Sequence, residues 1–156
     1  DERWEEFSEA AERGQKIKDA LLRTVDEDTD AFKLIMAAFG MPNTTPEEKS
    51  ARKAAIQAGT RVAIEVPFKV MKLAFDSLPL IKQMVETGNP NSVTDAGVGA
   101  LCARAAVRGA YMNIQVNTTG LDDKAFAAQV LAEGKKMADA ADAMEKEILG
   151  IVEGKL

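Results

Sequence analysis

Residues 4–42 read WEEFSEAAERGQKIKDALLRTVDEDTDAFKLIMAAFGMP, and the fold is decided here. Trp4, Phe7, Ala11, Gly14, Lys18, Leu21, Val25, Asp28, Phe32, Ile35 and Phe39 recur at alternating steps of three and four. That spacing lines them up along one side of a helix and fits no strand, whose period is two. It predicts one long helix with a single buried seam. Gly40-Met41-Pro42 ends it, because glycine permits a left-handed cap and proline cannot continue the turn.

The same signals recur downstream. Thr45, with Pro46 after it and Glu48 three residues on, forms a capping box that starts a second helix. Its buried face reads Ala51, Ala55, Ala58, Val62, Val66, Val70 and Leu73. Pro67 should kink that helix, and Pro79 offers a second break. Gly88-Asn89-Pro90-Asn91 is a turn, and Ser92 with Asp95 can open a third helix. From Val93 to Val116 the chain is rich in Ala and Gly on nearly every side, which predicts a central helix surrounded by neighbours or by a second subunit. Asp122 can cap a last helix with the seam Phe126, Val130, Gly134, Met137, Ala141, Met144, Ile148 and Ile151. Four long helices with short connections predict an all-α, antiparallel bundle forming a single domain over residues 1–156.

Composition narrows the function. The 156 residues are 46% hydrophobic and 29% charged, the balance of a folded globular chain. A net charge of −5 and the lack of any Lys/Arg run argue against a general nucleic-acid binder. Cys102 stands alone, which excludes an internal disulfide, predicts a small buried hydrophobe and points to a cytoplasmic setting. The longest uncharged run, Gly109 to Leu121, is too short and too polar to cross a bilayer. There is no histidine. Ser-His and Cys-His nucleophiles are therefore excluded, and any acid–base work falls on Asp, Glu, Lys or Tyr.

Asp28 is the anomaly, a carboxylate on the seam between Val25 and Phe32. Burial there would disfavour its charged form and let it hold a proton near neutral pH. The competing reading is a buried Asp paired with an Arg, and on spacing alone that structural reading leads. Asp26, Glu27 and Asp30 fall off the seam and read as a solvated acidic face. Asn113 and Asn117 lie one turn apart in an apolar segment, so they either knit helices together or line a polar pocket. Arg52, Lys53, Arg61, Lys69 and Lys72 form a basic run, and Arg104 with Arg108 repeats the idea. Such cations are ordinarily solvated or ion-paired; the sharper alternative is a track for an anionic ligand with several carboxylates.

Three ordered blocks carry a resemblance. Val25-Asp26-Glu27-Asp28-Thr29-Asp30-Ala31-Phe32 is similar to the acid-rich helix of the formiminotetrahydrofolate cyclodeaminase / methenyltetrahydrofolate cyclohydrolase family. Met41-Pro42-Asn43-Thr44-Thr45-Pro46-Glu47-Glu48-Lys49, with Arg52, Ala54 to Gln57 and Glu65-Val66-Pro67, resembles its next segment. Gly88 to Asp95, then Gly109 to Ile114 and Asn117, resembles its third block.

The resemblance implies a proton-donor role for Asp28 and substrate contacts for Arg52, Asp95, Asn113 and Asn117. It also implies a homodimer, a tetrahydrofolate derivative as substrate, possession of no cofactor or metal, and a basic run suited to a folate tail of one or more glutamates. A glycine-rich helical segment is expected ahead of Asp1. Two reactions are implied: opening of 5,10-methenyltetrahydrofolate by water, towards which free-standing members of the family lean, and ammonia-releasing closure of 5-formiminotetrahydrofolate. A helical folate-binding or scaffold module without catalysis is the third reading.

Overall fold

A computed structural model describes residues 3–156. Four long helices follow one another: α1 (Trp4–Phe39), α2 (Pro46–Thr87), α3 (Val93–Thr118) and α4 (Lys124–Glu153), with a single 3-10 turn at Pro90–Ser92 before α3. Among the described residues there is no strand, as the pattern predicts. Nor is any helix among them long and apolar enough to cross a membrane.

Local chemistry sets most boundaries. The Thr45 hydroxyl accepts the Glu48 N–H at 3.2 Å, and the Glu48 carboxylate accepts the N–H groups of Thr45 and Thr44 at 2.9 and 2.8 Å. These backbone donors, Thr45's first, hold the Glu48 carboxyl below its usual range. Details differ elsewhere. Gly40 stays right-handed at φ −78°, because its N–H bonds Met36 and Ala37 in a closing turn and no left-handed residue is needed. Asp123, rather than Asp122, caps α4 by accepting from the N–H of Phe126 at 3.0 Å, while Asp122 pairs with Lys53. Ser92 precedes α3 without a side-chain cap. Neither Pro67 nor Pro79 ends α2, which at 42 residues runs about 60 Å.

Contacts along the bundle show successive helices running antiparallel. Near one end of α1 and α2 the Arg52 guanidinium meets Phe39, and near the other Gln83 meets Glu6. Asn117 reaches Ala63 from α3 to α2, and Arg104 reaches Asp142 from α3 to α4. The core lies among α2, α3 and α4, where Ile64, Met71, Leu78, Val85, Val107, Ile114 and Ile148 are fully buried. The central helix is α2, against which α1, α3 and α4 all pack. The other helices of the chain do not surround α3, contrary to the first of the two expectations for it; Val98, Leu101, Met112 and Val116 are exposed, as is Cys102, contrary to its expected burial.

The predicted seam of α1 holds at four of its eleven positions. Phe7, Gly14, Leu21 and Ile35 are part-buried, but Trp4, Ala11, Lys18, Val25, Phe32 and Phe39 are exposed. The face that meets α2 is instead Ala10, Ile17, Thr24, Ala31 and Ala38, one position earlier in each heptad. Small side chains let the two backbones approach closely; a Cβ on Gly59 would lie 3.0 Å from the Ile35 side chain and 3.4 Å from its backbone. The larger apolar stripe is left uncovered.

Candidate functional site

Because α1 and α3 both lie on α2 without packing closely on each other, a cleft runs between them. Its floor near mid-length is Pro67 and Val70 of α2. One wall is Leu21, Thr24, Val25, Asp28 and Thr29 of α1, and the other is Gly109, Ala110 and Asn113 of α3, enclosing about 470 Å³. A cleft of this size suits a small molecule. It continues past Leu21 and Val25 into a more apolar groove of about 630 Å³, between Gly14 and Gly99, floored by Ser77 and Ile81. A Cβ on Gly109 would meet no atom within 4 Å, so its missing side chain leaves the α3 wall low and the cleft wide.

Asp28 therefore faces the cleft, but not as a buried acid: it is exposed. The physical cause is the phase of α1, which turns the alanine side toward α2 and leaves Asp28 at the seam's edge. The burial on which its proton-holding role depends is absent. Two of its three acidic neighbours are engaged elsewhere, Glu27 by Lys69 at 2.7 and 2.8 Å and Asp30 by Lys33 at 2.8 Å. Asp28 itself has no ion-pair or hydrogen-bond partner among the described residues, so it is neither locked onto an arginine nor used as a cap. Among the described residues there is also no group of three metal-ligating side chains.

On the opposite wall, Asn113 and Asn117 do both things proposed for them. The Asn117 Nδ2 donates to the Ala63 carbonyl at 2.9 Å, knitting α3 to α2, and to Asn113 Oδ1 at 3.2 Å, while Asn113 lines the cleft. The remaining expected contacts lie apart. Arg52 donates to the Phe39 carbonyl at 2.9 Å, supplying a cation to the end of α1, whose last turn has no basic residue. That point is about 16 Å along α1 from Asp28. Asp95 sits in the first turn of α3, roughly 27 Å along the helix from Asn113.

The basic run is also occupied. Lys53 pairs with Asp122 at 2.7 Å, Arg61 with Glu65 and Asp123 while stacking on Phe126, Lys69 with Glu27, and Lys72 lies over the Phe68 ring. Ion pairing accounts for Lys53, Arg61 and Lys69, while Arg52 is held by a carbonyl and Lys72 by a ring, so among the described residues the run is no track of free cations. Arg104 and Arg108 likewise converge on Asp142, whose carboxyl is held down at about 2, chiefly by the Arg108 hydrogen bond. Sequence reasoning misses Thr24, Thr29, Pro67 and Gly109 as cleft residues. Thr29, Pro67 and Gly109 each lie in one of the three blocks that carry the resemblance, which is the signal that could have found them; Thr24 lies just ahead of the first.

Comparison with known proteins agrees with this architecture. The chain is 34% identical over 151 residues to a methenyltetrahydrofolate cyclohydrolase of Methylorubrum extorquens, covering 97% of this chain and 73% of that protein. It is 29% identical over 135 residues to the formimidoyltransferase-cyclodeaminase of Rattus norvegicus, of which it spans 25%. The fold is shared with the crystal structure of formiminotetrahydrofolate cyclodeaminase from Thermotoga maritima, with a TM-score of 0.83 at 19% identity, over 99% of this chain and 73% of that one. The family described as Formiminotransferase-cyclodeaminase matches residues 1–136, and the chain belongs to that family.

Proposed function

We propose that this protein is a methenyltetrahydrofolate cyclohydrolase, opening the five-membered ring of 5,10-methenyltetrahydrofolate with water in the cleft between α1 and α3. The observation that carries the reading is the unpartnered Asp28 carboxylate on the wall of an open cleft, facing the Asn113 side of it. It is supported by the 34% identity to a protein named for this activity.

The methenyl carbon bridges two nitrogens and shares their positive charge, so an anionic carboxylate beside it favours binding. Asp28 takes a proton as water adds to that carbon. The same carboxyl then returns a proton to the pterin-side nitrogen as its bond to carbon breaks, leaving the formyl group on the other nitrogen and one proton released. Such positioned proton transfer contributes typically about a hundredfold or more. It needs no cofactor beyond the folate. A cytoplasmic setting fits the solitary Cys102.

The cyclodeaminase reaction is the second reading, favoured by the match to the rat protein. It asks the same carboxyl to hand a proton to departing ammonia. Loss of catalysis with retained folate binding would instead mark a binding module.

A homodimer is part of the proposal. Leu22, Val25, Phe32, Met36 and Phe39 of α1, with Val98, Leu101, Met112 and Val116 of α3, form exposed apolar surface on both sides of the cleft. A second copy is its proposed cover, because apolar surface of this extent favours burial.

Asp28→Asn tests the catalytic role. Because the side chain is exposed and unpartnered, thermal stability should stay within about 0.5 kcal/mol of wild type. Ring opening should fall by about a hundredfold or more. Retained turnover in the variant would remove Asp28 from the mechanism, and wild-type release of ammonia from the formimino substrate without ring opening of the methenyl one would select the second reading.

A further inference from the structure

Pro67 sits inside α2 and has no N–H, so the Ala63 carbonyl one turn earlier lacks its normal helical donor. Asn117 fills that place, its Nδ2 donating to the Ala63 oxygen at 2.9 Å. A carbonyl oxygen only accepts, so this bond fixes which end of the Asn117 amide faces α2. The second hydrogen of the same nitrogen points to Asn113 at 3.2 Å, and only the Oδ1 end of Asn113 can receive it. Polarity is thereby passed along from backbone to side chain to side chain. What remains is the Nδ2 of Asn113, which has no acceptor among the described residues, on a residue that lines the cleft. Pro79 frees the Phe75 carbonyl in the same way, yet among the described residues no side chain takes that one.

We infer that Pro67 and Asn117 are positioning residues, whose hydrogen-bond relay turns Asn113 so that its oxygen is drawn toward Asn117 and its Nδ2 is the group left to donate in the cleft. The cleft then presents a fixed donor on the α3 wall and a carboxylate on the α1 wall. Its complement is a ligand with a carbonyl oxygen or ring nitrogen on one side and a cationic carbon centre on the other. Resting on the folate reading, this assigns Asn113 to an acceptor on the pterin ring rather than to the reacting carbon.

Two measurements test the relay, one of them independent of activity. Side-chain amide NMR of Pro67→Ala should show the Asn117 amide shifted and exchanging faster, because the backbone N–H restored by that substitution competes for the Ala63 carbonyl; an unchanged Asn117 amide overturns the relay. In steady-state kinetics with 5,10-methenyltetrahydrofolate, Asn113→Ala and Asn117→Ala should each raise KM about fivefold, the worth of one neutral hydrogen bond, with little change in kcat. Asn117→Ala added to Asn113→Ala should change nothing further, since it acts only through Asn113. Additive effects on KM overturn the inference. Should Asn117→Ala fail to fold with the Ala63 carbonyl unsatisfied, the Pro67→Ala/Asn117→Ala pair returns a helical donor to that carbonyl and is expected to give the same KM. If wild type neither binds nor turns over the folate, the functional reading fails and the amide spectra still decide the relay.

Discussion

A carboxylate on a cleft wall with no bond partner among the described residues is the most informative residue in the chain. Asp28 stands between Glu27 and Asp30, each held by a lysine, and faces open space. Its position near the seam is legible from spacing; its exposure is not, because one residue of helical phase separates a buried carboxylate from a solvated one. Gly109 allows a complementary test. Gly109→Leu starts from a Cβ that would meet no atom within 4 Å and lies on the cleft wall, so KM should rise several-fold while the melting temperature holds or increases, since glycine costs a helix about 0.5–1 kcal/mol relative to alanine. Asp142, which does not line the cleft, predicts a pH effect on stability. Its carboxyl lies at about 2 instead of 3.8, so its contribution is full above 3.8 and is lost as pH falls through about 2. Roughly a third of the side chain is exposed, which screens the pairs. Asp142→Asn should therefore cost about 1 kcal/mol at neutral pH, with the gap to wild type closing in acid denaturation below 3.8.

Helix starts and stops obey short-range chemistry, so they can be read residue by residue. The capping box at Thr45 is complete, and Thr45→Ala should cost about 1 kcal/mol, seen as a lowered urea midpoint. Where caps are misassigned, as with Asp122 for Asp123, the competitor is a tertiary contact: Lys53 draws Asp122 away. Close approach between elements is less legible. Gly134 in α4 reads as one more seam position, yet a Cβ there would sit 2.7 Å from the Tyr111 ring. Gly134→Ala should consequently destabilise the fold by about 1–3 kcal/mol despite its better helix propensity, a sign reversal that calorimetry can check. The prolines of α2 show the same limit. Sequence places them inside the helix, but only the fold supplies Asn117 to the carbonyl that Pro67 frees.

At the scale of the molecule, two apolar stripes on α1 compete for one interior. The alanine stripe wins the contact with α2, and the stripe of Val25, Phe32 and Phe39 stays exposed beside that of α3. The proposed dimer should appear in light scattering at micromolar concentration, and Phe32→Glu paired with Met112→Glu should yield a folded monomer; a monomeric wild type would remove the dimer from the proposal. The four helices, their order, most of their ends and the family resemblance were determined by sequence alone, because periodicity, caps and turn residues act within one or two helical turns. Which face of α1 turns inward, the engagement of the basic run by carboxylates, a carbonyl and a ring, and the placing of Asp28 and Asn113 on opposite walls of one cleft were decided only by tertiary structure. Those outcomes depend on how closely two backbones can approach, and that distance is set jointly by residues far apart in the chain.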